Sequence, residues 1–370
     1  MSFTEVRLSS YRNLADGVLP VDAERVFLIG ENGQGKTNFL EALYYLSYGA
    51  SFRGPVDAEA ARRGEERFSL FGASGSSLSG PGAQGSLIPD NEIRIDWESK
   101  VKSIRVNDKP LRDRKELVEL NPAVVFCHED FTFAAGEPER RRFFFDQTAS
   151  LVSPGYIDSL RDYRRILRQR NALLKAGQGR QDILELIDLQ YAGAGIRLVE
   201  ARQRLQAEFD GLFALRYEAV SLLGTEVRLR YRPSWPAEGG LDAVLEKLRS
   251  KRTEEFALGT SLSGPHRDRW TFVTEGRDFA ATASTGQLRL LSLTLRMVQA
   301  EHYTVSTGRL PVLLLDDVLL ELDRGKRKRF LELLPDSAQA FFTFLPGEPW
   351  EEYRTGSTLA YEVRDGRFTD

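Results

Sequence analysis

Arg25-Val26-Phe27-Leu28-Ile29-Gly30-Glu31-Asn32-Gly33-Gln34-Gly35-Lys36-Thr37 joins an apolar run to a glycine-rich turn. The run Arg25 to Ile29 is short and continuous, as a strand buried on both faces must be. The turn fits the full P-loop spacing, with glycines at 30 and 35 and Lys-Thr behind them. From Lys36 to Tyr48 the residue types predict a helix. Each residue type has a chemical reason. Glycines let the backbone wrap closely and aim N–H groups inward, and the helix start adds a positive end. The Lys36 ammonium suits the β- and γ-phosphates of ATP, and the Thr37 hydroxyl suits Mg²⁺. The nucleotide-binding set predicted here is Gly30, Glu31, Asn32, Gly33, Gln34, Gly35, Lys36, Thr37 and Asn38.

Far downstream, Leu310-Pro311-Val312-Leu313-Leu314-Leu315-Asp316-Asp317 is a second buried strand, ending in two acids. Such a strand delivers carboxylates to the sheet edge where ligands bind in open α/β folds. Asp316 is expected to serve the metal, and Asp317 to polarise the attacking water as general base. Alone, the pattern marks a turn as readily as a site. With the P-loop, it supplies the other half of one phosphate–magnesium centre.

A third segment, Ser284-Thr285-Gly286-Gln287, precedes an amphipathic helix carrying Leu288, Leu291, Leu295 and Val298. A hydroxyl, a glycine and an amide at a helix start make an anion-binding cap. The plain alternative is a capping box that satisfies only its own helix. Two phosphate-directed helix ends suggest one ATP held between two copies, by the P-loop of one and Ser284, Gly286 and Gln287 of the other.

Outward from these motifs, the chain reads as strands at Phe3–Leu8, Glu92–Trp97 and Val101–Val106. The Ser/Gly-rich residues 72–85 read as a loop. Strand and helix alternate again from Thr260, through Trp270–Thr274, a helix Gln287–Tyr303, and a helix Arg324–Leu334. The last strand expected is Ala340–Phe344. Between the two α/β ends, Leu160, Tyr163, Leu167, Asn171 and Leu174 recur at helical spacing. Beyond the break 176–179 comes a heptad-like seam of Leu184, Ile187, Tyr191, Ala194, Leu198, Ala201, Leu205 and Phe209. The expected organisation is an α/β head built from both chain ends (1–145 and 258–370), with a helical, short antiparallel coiled-coil-like lobe inserted at 146–257.

Composition narrows the class. A chain of 370 residues with 41% apolar and 28% charged content is long enough for two cores. A net charge of −3 means that any nucleic-acid surface must be a local patch. One cysteine, Cys127, excludes an intramolecular disulfide and a multi-cysteine zinc site. Met1 to Leu14 has no apolar signal core, and no stretch approaches eighteen apolar residues, so a cytoplasmic protein with no membrane partner is expected. Arg161, Arg164, Arg165 and Arg168 form a basic stripe at helical spacing, suited to phosphates without reading bases. A solvated face paired with nearby acids explains the same spacing.

The order of P-loop, Ser284–Gln287 signature, Asp316-Asp317 strand end and Glu321-Leu322-Asp323 resembles the ABC/SMC-type ATPase head. Within that class, the chain resembles the RecF family of bacterial recombination mediators. The resemblance extends to Tyr11-Arg12-Asn13, Arg140 to Phe143 with Asp146, Gln169-Arg170-Asn171, and Gly264-Pro265-His266-Arg267-Asp268. It implies an ATP-dependent homodimer with slow hydrolysis that binds duplex or gap-junction DNA. It further implies help in recombinase loading through partners like RecO and RecR, and a place for Asp323 in the loop crossing the dimer interface. An SMC-like scaffold, in which ATP gates protein association without DNA, is the alternative. Three segments depart from the family's pattern: Arg269 where an acid usually stands, Cys127-His128 in the segment around Glu129, and Thr343 where many ABC proteins place a switch histidine.

Overall fold

The computed structural model describes residues 2–54, 56–75, 90–177, 181–236, 238–319 and 322–370. The chain divides into two compact units: Met1–Glu129 with Gln299–Asp370, and Asp130–Val298. These limits differ from the expected 145/146 and 257/258. The helix Pro138–Val152 and the strands Arg228–Arg232 and Arg269–Thr274 belong with the helical centre, because Phe145 stacks on Trp270 at 3.9 Å and meets Phe209 at 5.6 Å. The Ser284 turn therefore lies in the second unit.

The first unit holds a six-stranded sheet in the order Arg367–Thr369, Thr358–Arg364, Arg25–Ile29, Gln339–Phe344, Val312–Leu315, Ala123–Phe126. All neighbours are parallel except the terminal hairpin. Val312–Leu315 and Gln339–Phe344 are buried along their whole length, which is why the first reads as an unbroken apolar run and the second is interrupted only by Gln339 and Thr343. Gln339–Phe344 is not the last strand, since two follow it. Register matters most for function. Leu315 pairs with Phe342, and Phe344 with Ile29, so Gly30, Asp316 and Thr343 emerge at one sheet edge.

A second, antiparallel sheet runs Gly17–Pro20, Ser2–Ser9, Arg67–Gly75, Asn91–Glu98, Val101–Val106, Lys109–Pro110. The helix Lys36–Tyr48 shares one core with both sheets: Phe39, Leu43 and Leu46 pack in the same cluster as Phe3, Ile95, Leu314 and Phe341. From Phe39 to Ser47 it is buried on every face, and that stretch is accordingly apolar apart from Glu41 and Ser47. Its one buried acid, Glu41, is clasped by Arg12 at 2.6 and 2.8 Å. Residues 72–75, expected in a loop, are strand. Gly72 is small because a Cβ there would sit 2.8 Å from Leu46 and 3.1 Å from Phe3. The rest of that expected loop, 76–85, lies outside the described residues.

In the second unit, Tyr156–Ala176 and Gln181–Ser221 pack together as a helical hairpin. Of the break expected at 176–179, residues 178 and 179 are not among those described. Six positions of the expected seam are buried: Leu184, Tyr191, Ala194, Leu198, Leu205 and Phe209. The first helix turns otherwise than expected. It buries Tyr156, Tyr163, Ile166, Arg170 and Leu174, leaving Leu160, Leu167 and Asn171 half-buried. Arg170 goes inside because its charge is matched there, by Asp188 and Glu255 at 2.7 Å and the Ser261 hydroxyl at 2.8 Å. Arg202 is likewise held by Asp146 and Asp268 at 2.8 Å. Removing one partner from such a cluster costs about 3–5 kcal/mol, since the others stay buried and unpaired. A third helix, Gly240–Leu258, supplies Glu255, so the hairpin is a packed lobe rather than a free coiled coil. Among the described residues no helix is long and apolar enough to cross a membrane.

Candidate nucleotide site

The turn after Ile29 owes its shape to Gly33 and Gly35, with φ of 80° and 119°. A side chain at Gly35 would also meet Leu14 at 2.6 Å, and one at Gly30 would collide with the Val363 carbonyl. Gly35 caps the helix Lys36–Tyr48 without any side-chain hydrogen bond. The amides of that first turn are thus left to whatever anion the loop cradles. Lys36 is buried, and its ammonium donates to the carbonyls of Gly30 at 2.5 Å and Glu31 at 3.2 Å, which holds it over the loop.

Neighbours that sequence reasoning left without a role fix the loop from outside. Asn13 donates to the Gly33 carbonyl at 3.0 Å, Asn38 donates to Asn13 at 2.7 Å, and Arg53 donates to Asn38 at 2.7 Å. Asn38 and Gln34 therefore act here through the loop's framework. The Gln34 side chain accepts the Asp365 N–H at 2.6 Å, and its carbonyl accepts the Gly366 N–H at 2.9 Å. Glu31 and Asn32 are exposed on the loop's rim. The Tyr11-Arg12-Asn13 run was the available signal for Asn13. Nothing local announces Asp365.

The second half of the centre comes from the Asp316 strand end. The Thr37 hydroxyl donates to Asp316 at 2.8 Å, uniting the two motifs across most of the chain. Burial lifts the Asp316 pKa to about 6, with the Thr37 hydrogen bond opposing the shift and the charges of Asp317 and Glu129 adding to it. A hydroxyl beside a carboxylate that is costly to ionise fits a hard divalent cation, which would relieve that cost. Asp317 takes the left-handed conformation at φ 51°. Thr343 holds it there, accepting its N–H at 2.7 Å and donating to its carboxylate at 2.8 Å.

The Ser284 turn is exposed and forms a capping box. Ser284 N–H donates to the Gln287 side chain at 2.7 Å, and Gln287 N–H donates to the Ser284 hydroxyl at 3.3 Å. Gly286 has no left-handed φ, and a Cβ there would touch nothing within 4 Å. Asp323 caps the helix Arg324–Glu332, accepting the Lys326 N–H at 2.9 Å. Its pKa is lowered chiefly by hydrogen bonding to Lys326.

Of the four stripe arginines, all exposed, Arg161 and Arg165 pair with the acids Asp158 and Asp162 three residues earlier. Arg164 lies 3.9 Å from Asp146, and Arg168 donates to the Arg164 carbonyl at 3.4 Å. The stripe is thus partly neutralised by its own helix.

A parallel sheet whose edge carries a P-loop and an Asp-Asp strand end, built from both ends of the chain, defines an ATPase head of the ABC/SMC class. Comparisons sharpen this. The family described as the RecF/RecN/SMC N terminal domain matches residues 2–352. The chain is 40% identical to the DNA replication and repair protein RecF of Treponema pallidum (strain Nichols), over 96% of this chain and 98% of that one. It is 30% identical to the protein of that name from Leptospira interrogans serovar Lai, over 95% and 94%. The solved structure of the recombination mediator protein RecF with ATP, in the RecFOR pathway, superposes with a TM-score of 0.86 at 26% identity, covering 99% of this chain and 96% of that one. The chain belongs to the RecF family.

Proposed function

We propose that this protein is an ATP-gated DNA clamp of repair and recombination, in which one nucleotide is held between two copies. Gly286 carries the reading. A glycine inside the first turn of an exposed helix costs about 1 kcal/mol against alanine. Neither the backbone nor the neighbours of Gly286 require it, so a close approach from outside is what it serves. The approaching group is the γ-phosphate held on the Lys36 loop of a second copy. There the Ser284 hydroxyl and the helix N-terminus exchange their internal capping bonds for phosphate oxygens.

Within each copy, the loop amides and Lys36 bind the β- and γ-phosphates, and Thr37 and Asp316 would hold Mg²⁺. That ion, when bound, neutralises charge between phosphate oxygens. Asp317 orients the attacking water and takes its proton. Hydrolysis removes the phosphate that joins the copies, and they part. Thr343, in place of an imidazole, cannot accept a proton at neutral pH, which accords with slow turnover. The relatives' names supply DNA replication and repair, and the solved match supplies the RecFOR pathway. By that likeness, the ATP-bound dimer engages duplex or gap-junction DNA in the cytoplasm and hands on to RecO- and RecR-like partners.

Sedimentation of the full chain tests the gate. The wild type should double in mass on adding ATP and Mg²⁺. Lys36→Met should stay single, and Asp317→Asn should dimerise and separate slowly. An unchanged wild-type mass with ATP ends the proposal.

A further inference from the structure

The second unit contains a three-stranded antiparallel sheet in the order Arg277–Asp278, Arg269–Thr274, Arg228–Arg232. One of its faces is core: Leu229, Trp270 and Phe272 are buried. Side chains alternate along a strand, so Arg228, Arg230 and Arg232 share the opposite face. Their cross-strand partners on that face are Val273, Thr271 and Arg269.

Two features of this face do not suit the isolated fold. Arg232 lies directly opposite Arg269, and like charges at such paired positions are destabilising. Arg230, Arg232 and Arg269 are also exposed and make no ion pair among the described residues. Arg228 behaves otherwise, bound to Asp210 at 2.7 Å and Glu226 at 2.8 Å. Glu226 and Glu275 line the same depression as Arg228, Arg230 and Arg232, and by register both belong to its Arg228–Val273 end. The carboxylates therefore gather round Arg228 and the outer turn, and the Arg230–Arg232–Arg269 end stays cationic.

We infer that this arginine face docks the sugar–phosphate backbone of duplex DNA. Its three unpaired guanidiniums sit on a rigid sheet, with alternate side chains about 7 Å apart along a strand, and a polyanion relieves the Arg232–Arg269 repulsion. Guanidinium forks match phosphate oxygens and carry no base information, so the contact is independent of sequence. The inference rests on the proposed DNA binding and gives it a location distinct from the helical stripe, where Arg161 and Arg165 are paired with acids of their own helix.

The test is fluorescence anisotropy with a labelled blunt 30-base-pair duplex and ATP–Mg²⁺, across a salt series. Arg230→Ala/Arg232→Ala/Arg269→Ala should bind at least tenfold more weakly. Its slope of log affinity against log salt should be shallower by about 0.9 for each phosphate that the variant no longer neutralises. Arg269→Asp guards against misfolding, because it turns a like-charge pair into an attractive one. It should melt no lower than the wild type yet bind DNA more weakly. Wild-type affinity and slope in both variants overturn this inference and leave the ATP-gated clamp intact. Loss of binding to inorganic polyphosphate with duplex binding unchanged also overturns it. A wild type with no salt-dependent duplex binding defeats both readings.

Discussion

The Thr343 hydroxyl grips Asp317 at two points, accepting its N–H at 2.7 Å and donating to its carboxylate at 2.8 Å. The grip explains how a non-glycine residue stays at φ 51° at the end of a buried strand. An isolated aspartate would relax from that conformation, and the carboxylate would turn with it.

Thr343→Val keeps the shape and deletes the grip. With the hydroxyl gone, the Asp317 N–H loses its partner, at a cost of about 1–3 kcal/mol. If Asp317 handles the attacking water, ATP turnover should fall at least tenfold while ATP affinity stays within about threefold. Thr343→Ser should restore turnover. Equal turnover in all three proteins would show that Asp317 needs no such support.

The legible and illegible parts of this molecule divide along a physical line. Arg25–Ile29, Lys36–Tyr48 and Val312–Leu315 stand where the sequence placed them. Each is announced by local chemistry: a continuous apolar run, or a glycine turn opening a helix. The Thr37–Asp316 contact followed from the known pairing of two motifs. The Thr343 grip did not, because it depends on the register of two strands that a helix separates in sequence. Arg170 was hidden for another reason. Periodicity assigns a charge to the outside, and only Asp188 and Glu255, from two other helices, reverse that assignment. Gly72 misled because a glycine chosen for close packing under Leu46 looks like a glycine chosen for a turn.

Asp316 gives the apoprotein a pH signature of definite sign. Unfolded, its carboxyl titrates near pH 4; folded, at about 6. Between these values the folded state binds the extra proton, so this group's destabilising effect is complete above pH 6 and disappears as pH falls towards 4. Asp316→Asn should therefore raise the free energy of urea unfolding at pH 7.5, without nucleotide or metal, by about 1–2 kcal/mol, a range lowered for partial exposure. The gain should shrink towards zero near pH 4. His266, whose pKa burial lowers to about 4, titrates through the same window with the opposite sign. The readout is accordingly the difference between variant and wild type at each pH, in which His266 cancels. A gain that stays constant with pH would mean that it does not come from the ionisation of Asp316.

Gly286 separates what the monomer needs from what a second copy needs. The helix Thr285–Thr307 gains nothing from glycine at its second position, and a side chain there meets open space. Gly286→Ala should leave the melting temperature without ATP unchanged or raise it, by an amount equivalent to at most about 1 kcal/mol. Gly286→Gln should also fold, since its longer side chain extends into solvent. Both variants should bind ATP through an untouched P-loop. Doubling of mass with ATP should weaken in the alanine variant and vanish in the glutamine variant, because the added atoms occupy the space that the opposing phosphate must enter. A glutamine variant that binds ATP and dimerises like the wild type would place the partner's nucleotide elsewhere. The Ser284–Gln287 turn would then be only the cap of its own helix, which its two internal hydrogen bonds already make it in the single chain.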